Sequence, residues 1–289
     1  MKLAVFSHCA IDSITLEGSN YSQIGGAACY CGLTAREFKF DVDLFTKFGR
    51  DFPQQYLADN KIHYDNAESQ TLTTKFSINI TGADRTLKLE NECDPIEFDG
   101  TDADGCVVSP IYHEISNEVF SKIKRDSNFI LVDPQGFLRR VDSQNNILLE
   151  KTDVDLNKID AVKVNPEEAK CLVDGTPDEM MLALQKKGVE HVLFTDKLNV
   201  SLLVKDKIYS IKLPNREVYD TTGIGDIFCA TFCCTMLKEK DFLWALCFAG
   251  GSAQAALDTK KVGLQKIPRR SQIETNASYF YNLVKYRQI

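Results

Sequence analysis

Several things are scarce in this 289-residue chain, and each scarcity removes a class of protein. Proline and glycine number 8 and 16, too few for a collagen-like, linker-dominated or low-complexity chain. Basic residues do not dominate: 34 Lys+Arg stand against 41 Asp+Glu, a formal charge of −7, so a surface that grips phosphate backbones is not expected and nucleic acid is not an expected partner. No apolar run approaches a membrane span, and Leu3-Ala4-Val5-Phe6 is too short for a signal peptide, which predicts a cytoplasmic protein with no membrane partner. Four histidines lie scattered and the ten cysteines include no C-x-x-C pair, which argues against a zinc site. The thiols are expected to be reduced and to serve as small core residues. With 44% apolar residues the chain can bury a sizeable core, as two small domains or one large α/β domain.

What is present alternates. Leu3–Phe6 reads as a buried strand running into a polar loop, Ser7 to Asp12. Gly25-Gly26 opens a helix with Ala27, Tyr30, Cys31, Thr34, Ala35 and Phe38 at helical spacing. Val42–Phe45 is the next strand, and Asp51-Phe52-Pro53 predicts a helix with proline in its first turn. Strands at 107–108, 129–132, 161–164 and 191–194, with helices at 117–124, after Asn165 and at 178–187, predict a doubly wound, mostly parallel sheet flanked by helices, with ligands at the carboxyl ends of its strands. Residues 71–90 break the rhythm. Thr73, Lys75, Ser77 and Asn79 alternate with Thr74, Phe76, Ile78 and Ile80, and Gly82-Ala83-Asp84 supplies a turn, so a hairpin with one polar face is expected to form a small β lid. No repeat, long linker or charge block interrupts the chain.

The most informative segment is Asp220-Thr221-Thr222-Gly223-Ile224-Gly225-Asp226, followed by a helical pattern to Lys238. Backbone N–H groups at a glycine-rich helix start make an anion pocket. A carboxylate there has two readings: it takes a proton from a hydroxyl while the amides hold a transferred phosphoryl group, or it only satisfies the helix terminus. Spacing alone does not separate them. The third glycine of a dinucleotide fingerprint is missing, because Phe228 stands there, and no P-loop motif occurs.

These residues carry a resemblance. Asp220 to Asp226 resembles the C-terminal signature D-T-x-G-A-G-D of the ribokinase-like (PfkB) carbohydrate kinase family, with Ile224 in place of the usual alanine. Asp12, Gly25-Gly26, Lys47-Phe48-Gly49-Arg50-Asp51, Asp133-Pro134, Asn165 with Glu168, and Phe248-Ala249-Gly250-Gly251 recur in the family's order, so the resemblance spans essentially the whole chain. It implies one ribokinase-like domain, residues 1–289, with a lid inserted at about 12–24 and 71–92, acting as a monomer or as a homodimer through the lid. It implies transfer of the γ-phosphoryl group of ATP, with Mg²⁺, to a hydroxyl of a small sugar, cyclitol or related polyol; a nucleoside or sugar-phosphate kinase and a non-catalytic binding relative are the alternatives. Asp226 would be the base and the amides of Gly223, Ile224 and Gly225 the anion hole. Asp12, Gly25, Gly26 and Tyr30 would face the acceptor. Asn165 and Glu168 would act on Mg²⁺ through water, and Thr195 would contact the nucleotide. In some relatives the positions of Asp220 and Thr222 supply oxygens to a monovalent cation, which implies K⁺ here.

Each assignment has a plainer counterpart. Asn165 and Glu168 also read as a capping box, Asp12 as a turn residue, and Gly250-Gly251 as close helix packing, although relatives put adenine nearby. The pattern also departs from the family's. Tyr30 stands where ribose-specific relatives carry asparagine, which lowers the expectation of ribose. Lys197 and Val200 replace both glycines of the T-x-G-x-x-G nucleotide loop, and Thr231 replaces a glycine on the catalytic helix. Arg85, Lys88 and Arg139-Arg140 are the cations a sugar phosphate would need.

Overall fold

Leu3, Ala4, Val5 and Phe6 have no exposed surface, because their strand lies in the middle of a sheet covered on both faces by helices, as a continuous apolar run requires. The computed structural model describes residues 1–16, 18–81, 84–214 and 220–289; the lid turn expected at Gly82-Ala83 and the Arg85 side chain lie outside the described residues. In chain order β1 (Lys2–Phe6), β2 (Ala10–Leu16) and β3 (Ser19–Gly25) precede α1 (Gly26–Glu37) and β4 (Asp41–Phe45). Next come α2 (Gln55–Asp59), β5 (Ile62–His63), β6 (Thr74–Thr81), β7 (Asp84–Asn91) and β8 (Gly105–Val108). The middle of the chain holds α3 (Asn117–Asp126), β9 (Ile130–Val132), α4 (Gln135–Leu138), β10 (Arg139–Val141) and β11 (Ile147–Leu149). It continues through β12 (Ile159–Val164), α5 (Pro166–Leu172), α6 (Pro177–Lys186) and β13 (Val189–Asp196). Then follow β14 (Asn199–Val204), β15 (Lys207–Lys212), α7 (Ile224–Glu239), α8 (Phe242–Leu257), a 3-10 turn at Gly263–Lys266, α9 (Arg270–Tyr281) and β16 (Lys285–Gln288).

Among the described residues ten strands form the main sheet, in the order β16-β15-β14-β13-β12-β9-β8-β1-β4-β5. The pairings from β13 to β5 are parallel, whereas β13 to β16 form an antiparallel edge. The architecture is therefore α/β, mostly parallel and flanked by helices. A second, four-stranded sheet runs β3-β2-β6-β7, with Asp12 in register beside Phe76.

Two local expectations change. The polar stretch after β1 is not a loop as far as Asp12: β2 starts at Ala10, because its backbone pairs with both β3 and β6. The helix expected at Asp51 starts at Gln55, since the Asp51 carboxylate is bound to the Thr73 amide at 2.9 Å and hydroxyl at 2.7 Å instead of capping a helix.

The cysteines pack as expected. Nine of the ten are buried and all are free. Cys29 and Cys31 on α1 and Cys229, Cys233 and Cys234 on α7 let these helices approach closely, and the Cys31 thiol donates to the Asp226 carbonyl at 3.4 Å. A buried carboxylate also ties the loops around the strand ends: Glu114 accepts from the amides of His8 (3.0 Å), Ile111 (2.7 Å) and Tyr112 (2.7 Å). Such charge-assisted bonds each contribute about 1.5–3 kcal/mol.

Candidate active site

Parallel strands that end together place the residues following them along one edge of the sheet. Ser109 follows β8, Asp133 follows β9 and Asn165 follows β12. Above them the sequence Thr222-Gly223-Ile224 starts α7. Gly223 takes φ +73, and a β-carbon there would run into the Tyr30 ring, so glycine is needed both for the turn and for the close approach. These elements and the second sheet enclose a cavity of about 370 Å³.

The cavity gathers most of the residues the sequence singles out. Asp12, Gly26, Tyr30, Asn165, Glu168, Thr222, Gly223, Gly225 and Asp226 all line it. Gly25 lies directly behind: a β-carbon there would be 2.9 Å from an Asp12 carboxylate oxygen, so the missing side chain lets that carboxylate rest on the backbone. Gly26, at φ +80, would collide with the His8 carbonyl if it carried a side chain. Thr195 and Ile224 do not line the cavity. The Thr195 hydroxyl reaches the Val164 carbonyl at 3.5 Å, and the Ile224 amide donates to the Thr221 carbonyl at 3.3 Å, which leaves Gly223 and Gly225 as the better placed anion-binding amides.

Asp226 sits in the first turn of α7 and accepts a hydrogen bond from the Ser109 hydroxyl at 3.1 Å. It keeps part of its surface open at the cavity while dense protein surrounds the rest. That burial, reinforced by the charge of Asp133, pushes its carboxyl up to about 7, against the opposing pull of Lys163, Ser109 and Arg139. A carboxyl poised there changes protonation in the range where a general base works.

Lys163 is the residue that sequence reasoning missed. It lies in strand β12 between the buried apolar residues Val162 and Val164, and its ammonium is 2.9 Å from Asp133 and 3.5 Å from Glu168 in a buried cluster. Burial alone would push the ammonium down; the two carboxylates more than reverse that and hold it charged. Its signal was a single charge in Ala161-Val162-Lys163-Val164, close to a strand's carboxyl end. Ser109 carried the same kind of signal, a polar residue directly after Val107-Val108.

Asn165 and Glu168 do form the capping box. Asn165 accepts from the amides of Glu167 and Glu168, each at 2.9 Å, and Glu168 accepts from the Asn165 amide at 2.8 Å. Such a cap stabilises α5 by about 1 kcal/mol. It also aims both side chains at the cavity, so capping and ligand binding are compatible. Burial pushes the Glu168 carboxyl up.

Asp220 lies at the start of the turn, where its carboxylate accepts from the Thr222 amide (2.8 Å) and the Gly263 amide (3.0 Å) and pairs with Lys266 at 2.8 Å. Burial would raise its carboxyl, but Lys266 and these amides outweigh that and hold it below the ordinary carboxylate value. Gly250 and Gly251 are both spent on packing. A β-carbon on Gly250 would strike the Ile211 side chain, and one on Gly251 would lie 2.8 Å from the Ile273 carbonyl of α9. Of the cations a sugar phosphate would need, Arg139 reaches the cavity; its guanidinium lies 5.5 Å from the Phe76 ring centroid and donates to the Ile111 carbonyl at 2.9 Å.

Comparison with known proteins matches residues 96–269 to the model of the pfkB family carbohydrate kinases. No curated protein matches the chain by sequence. Solved structures do match over nearly the full length. A pyrophosphate-dependent myo-inositol-1 kinase is 21% identical, with TM-score 0.80, covering 96% of this chain and 99% of its own. Ribokinase from Arabidopsis thaliana, complexed with ribose and ATP, is 18% identical, with TM-score 0.77, covering 96% and 98%. The nucleoside kinase of Methanocaldococcus jannaschii is 17% identical, with TM-score 0.73, covering 96% and 99%. At these identities the likeness shows the ribokinase fold.

Proposed function

The chain belongs to the pfkB family of carbohydrate kinases, and from that premise we propose that it phosphorylates a free hydroxyl of a small neutral sugar, cyclitol or related polyol, with Asp226 as the base. One observation carries this reading: the Asp226 carboxylate, with its raised pKa, lies beside the Gly223 and Gly225 turn in the same cavity as Asp12. A hydroxyl placed between them loses its proton to Asp226 as its oxygen bonds to the terminal phosphorus of the donor, while the bridging P–O bond breaks and the rest of the donor leaves with that bond's electrons, as ADP from ATP or as phosphate from pyrophosphate. The amides of Gly223 and Gly225, at the positive end of α7, hold the charge on the transferred phosphoryl group.

The acceptor class follows from the wall. Asp12, buried in β2, accepts hydroxyl protons, while Ala10, Phe76, Ile78 and Leu87 offer apolar surface to the C–H faces of a ring. A neutral polyol suits a carboxylate better than an anionic acceptor does. Arg139 is the group that would take a sugar phosphate, and Tyr30 and Phe76 are the rings on which a nucleobase would stack.

ATP is the donor this reading assigns first. Mg²⁺ fits the donor set. Among the described residues no group of His, Cys, Asp and Glu is arranged to hold a metal directly, but the carboxylate of Glu168 and the carboxamide of Asn165 face the cavity, as a hydrated cation bound mainly to phosphate oxygens requires. When bound, the ion would neutralise phosphate charge. A second donor, pyrophosphate, is favoured by a specific observation: Val200 is buried where the family's nucleotide loop carries glycine, and the Ile211 side chain packs directly over Gly250, which narrows the room for a base there. Pyrophosphate needs no base pocket.

The test is a phosphorylation assay across free sugars, cyclitols, nucleosides and sugar phosphates, with Mg²⁺ and either ATP or pyrophosphate. Product from a neutral polyol supports the reading. Shifts in melting temperature with several panel members, but phosphorylation of none, would establish a binding protein instead. Turnover with pyrophosphate alone would reassign the donor and leave the acceptor reading intact.

A further inference from the structure

The turn that starts α7 already holds a cation. The Lys266 side chain has no exposed surface, and its ammonium lies 2.8 Å from the Asp220 carboxylate and donates to the Asp220 carbonyl at 3.1 Å. It also lies 5.9 Å from the centroid of the Tyr30 ring, against which Gly223 of the anion-binding turn packs. A positive charge is thus fixed directly behind the amides proposed to receive the phosphoryl group.

This arrangement disagrees with a K⁺ site at Asp220 and Thr222. One carboxylate oxygen of Asp220 is taken by the Thr222 amide, the other by Lys266 and the Gly263 amide, and the main-chain carbonyl by Lys266 again. A second monovalent cation on the same oxygens would have to displace the lysine or share its carboxylate at repulsive distance. The oxygen set does not fit K⁺ while Lys266 is in place.

We infer that the Lys266 ammonium stands in for a monovalent cation, so that this kinase works without added K⁺. The two ions carry the same charge. A tethered ammonium costs no binding step from solution and cannot be diluted away, and it fastens the turn through Asp220 while keeping a positive field behind Gly223.

The inference rests on the kinase reading above, and two measurements keep the failure of one apart from the failure of the other. Turnover and melting temperature are followed as KCl replaces choline chloride at constant ionic strength. The wild-type protein is expected to change by less than about twofold in turnover and to melt at the same temperature in both salts. Lys266→Met is expected to lose about tenfold or more in turnover, to regain part of it with KCl or methylammonium chloride, and to melt higher in KCl than in choline chloride. Lys266→Arg keeps the charge and is expected to stay indifferent to K⁺. Several-fold activation of the wild type by K⁺, or a K⁺-specific rise in its melting temperature, overturns the inference, and so does a folded Lys266→Met variant with full turnover. Should Lys266→Met fail to fold, the wild-type melting curves and Lys266→Arg still decide. Absence of any phosphorylation by the wild type would sink the kinase reading alone, because the salt dependence of melting is read without turnover.

Discussion

Tyr30 and Gly223 are in direct register across the site: a β-carbon on Gly223 would come within 2.5–2.6 Å of three carbons of the Tyr30 ring. The ring is the floor on which the anion-binding turn rests. Its phenol, which burial pushes up, has no hydrogen-bond partner among the described residues. Gly223→Ala should therefore fail twice, by overlap with the ring and by strain at φ +73, each worth about 1–3 kcal/mol. Turnover should drop by about a hundredfold, because the turn moves relative to Asp226. Adding Tyr30→Ala relieves the overlap and not the dihedral strain, so the double variant should regain part of the stability in denaturant melts but little turnover. Recovery of full turnover would show that the turn does not need its left-handed glycine.

The raised pKa of Asp226 sets a pH dependence with a definite sign. A general base works when deprotonated, so kcat/KM should rise with pH and level off above about 7, the value to which burial and Asp133 bring the carboxyl. Stability runs the other way. Ionising a carboxyl whose folded pKa lies above its unfolded value of about 4 costs folding free energy as pH rises from about 4 to about 7. Asp226→Asn removes that cost: the variant should melt higher than wild type at about pH 8 and show no gain at about pH 4. Its turnover should fall by about two or more orders of magnitude while nucleotide binding persists. A variant with near-normal turnover would remove Asp226 from the base role.

Asp12 tests the acceptor side independently. Its carboxylate is buried and packed against Gly25, so Asp12→Asn keeps the shape and removes the negative charge that receives hydroxyl protons. The acceptor KM should rise by about tenfold or more while kcat changes less, the split expected when a ground-state contact is lost. An unchanged acceptor KM with a large loss of kcat would place Asp12 with the reacting atoms.

Much of this site was legible because local chemistry and tertiary position agree at a few points. Gly223-Ile224-Gly225-Asp226 announces itself, since a positive φ and a helix start need particular residues wherever they occur. The parallel strands were equally plain, because strands buried on both faces leave no polar alternation. What the sequence hid depends on distant partners. Asp12 reads as a turn residue until β6 is placed beside β2, and the antiparallel edge of the main sheet depends on pairings that no short window contains. Lys266, 46 residues from Asp220, carries no local mark of the carboxylate it meets. Asp51 shows the reverse error: Asp51-Phe52-Pro53 reads locally as a helix start, but the Asp51 carboxylate is taken by Thr73, a partner 22 residues away.

The cluster of Lys163, Asp133 and Glu168 supplies the last prediction. The three side chains have 9%, 3% and 3% exposure, so their charges are little screened by solvent and each depends on the others. Removing the ammonium alone, as in Lys163→Met, leaves two carboxylates close together in low dielectric. Breaking a buried pair in this way costs about 3–5 kcal/mol, although replacing all its members by apolar groups can be neutral. Lys163→Met should therefore lower the denaturation midpoint strongly, and adding Asp133→Asn should return part of the loss, a positive coupling that a double-mutant cycle measures directly. Gly225 adds a functional arm, because a β-carbon there would lie 3.3 Å from the lysine nitrogen, which places that charge against the anion-binding turn. If the double variant recovers stability but not turnover, the lysine serves the phosphoryl group as well as the fold. If both return, its charge matters only to its carboxylate neighbours.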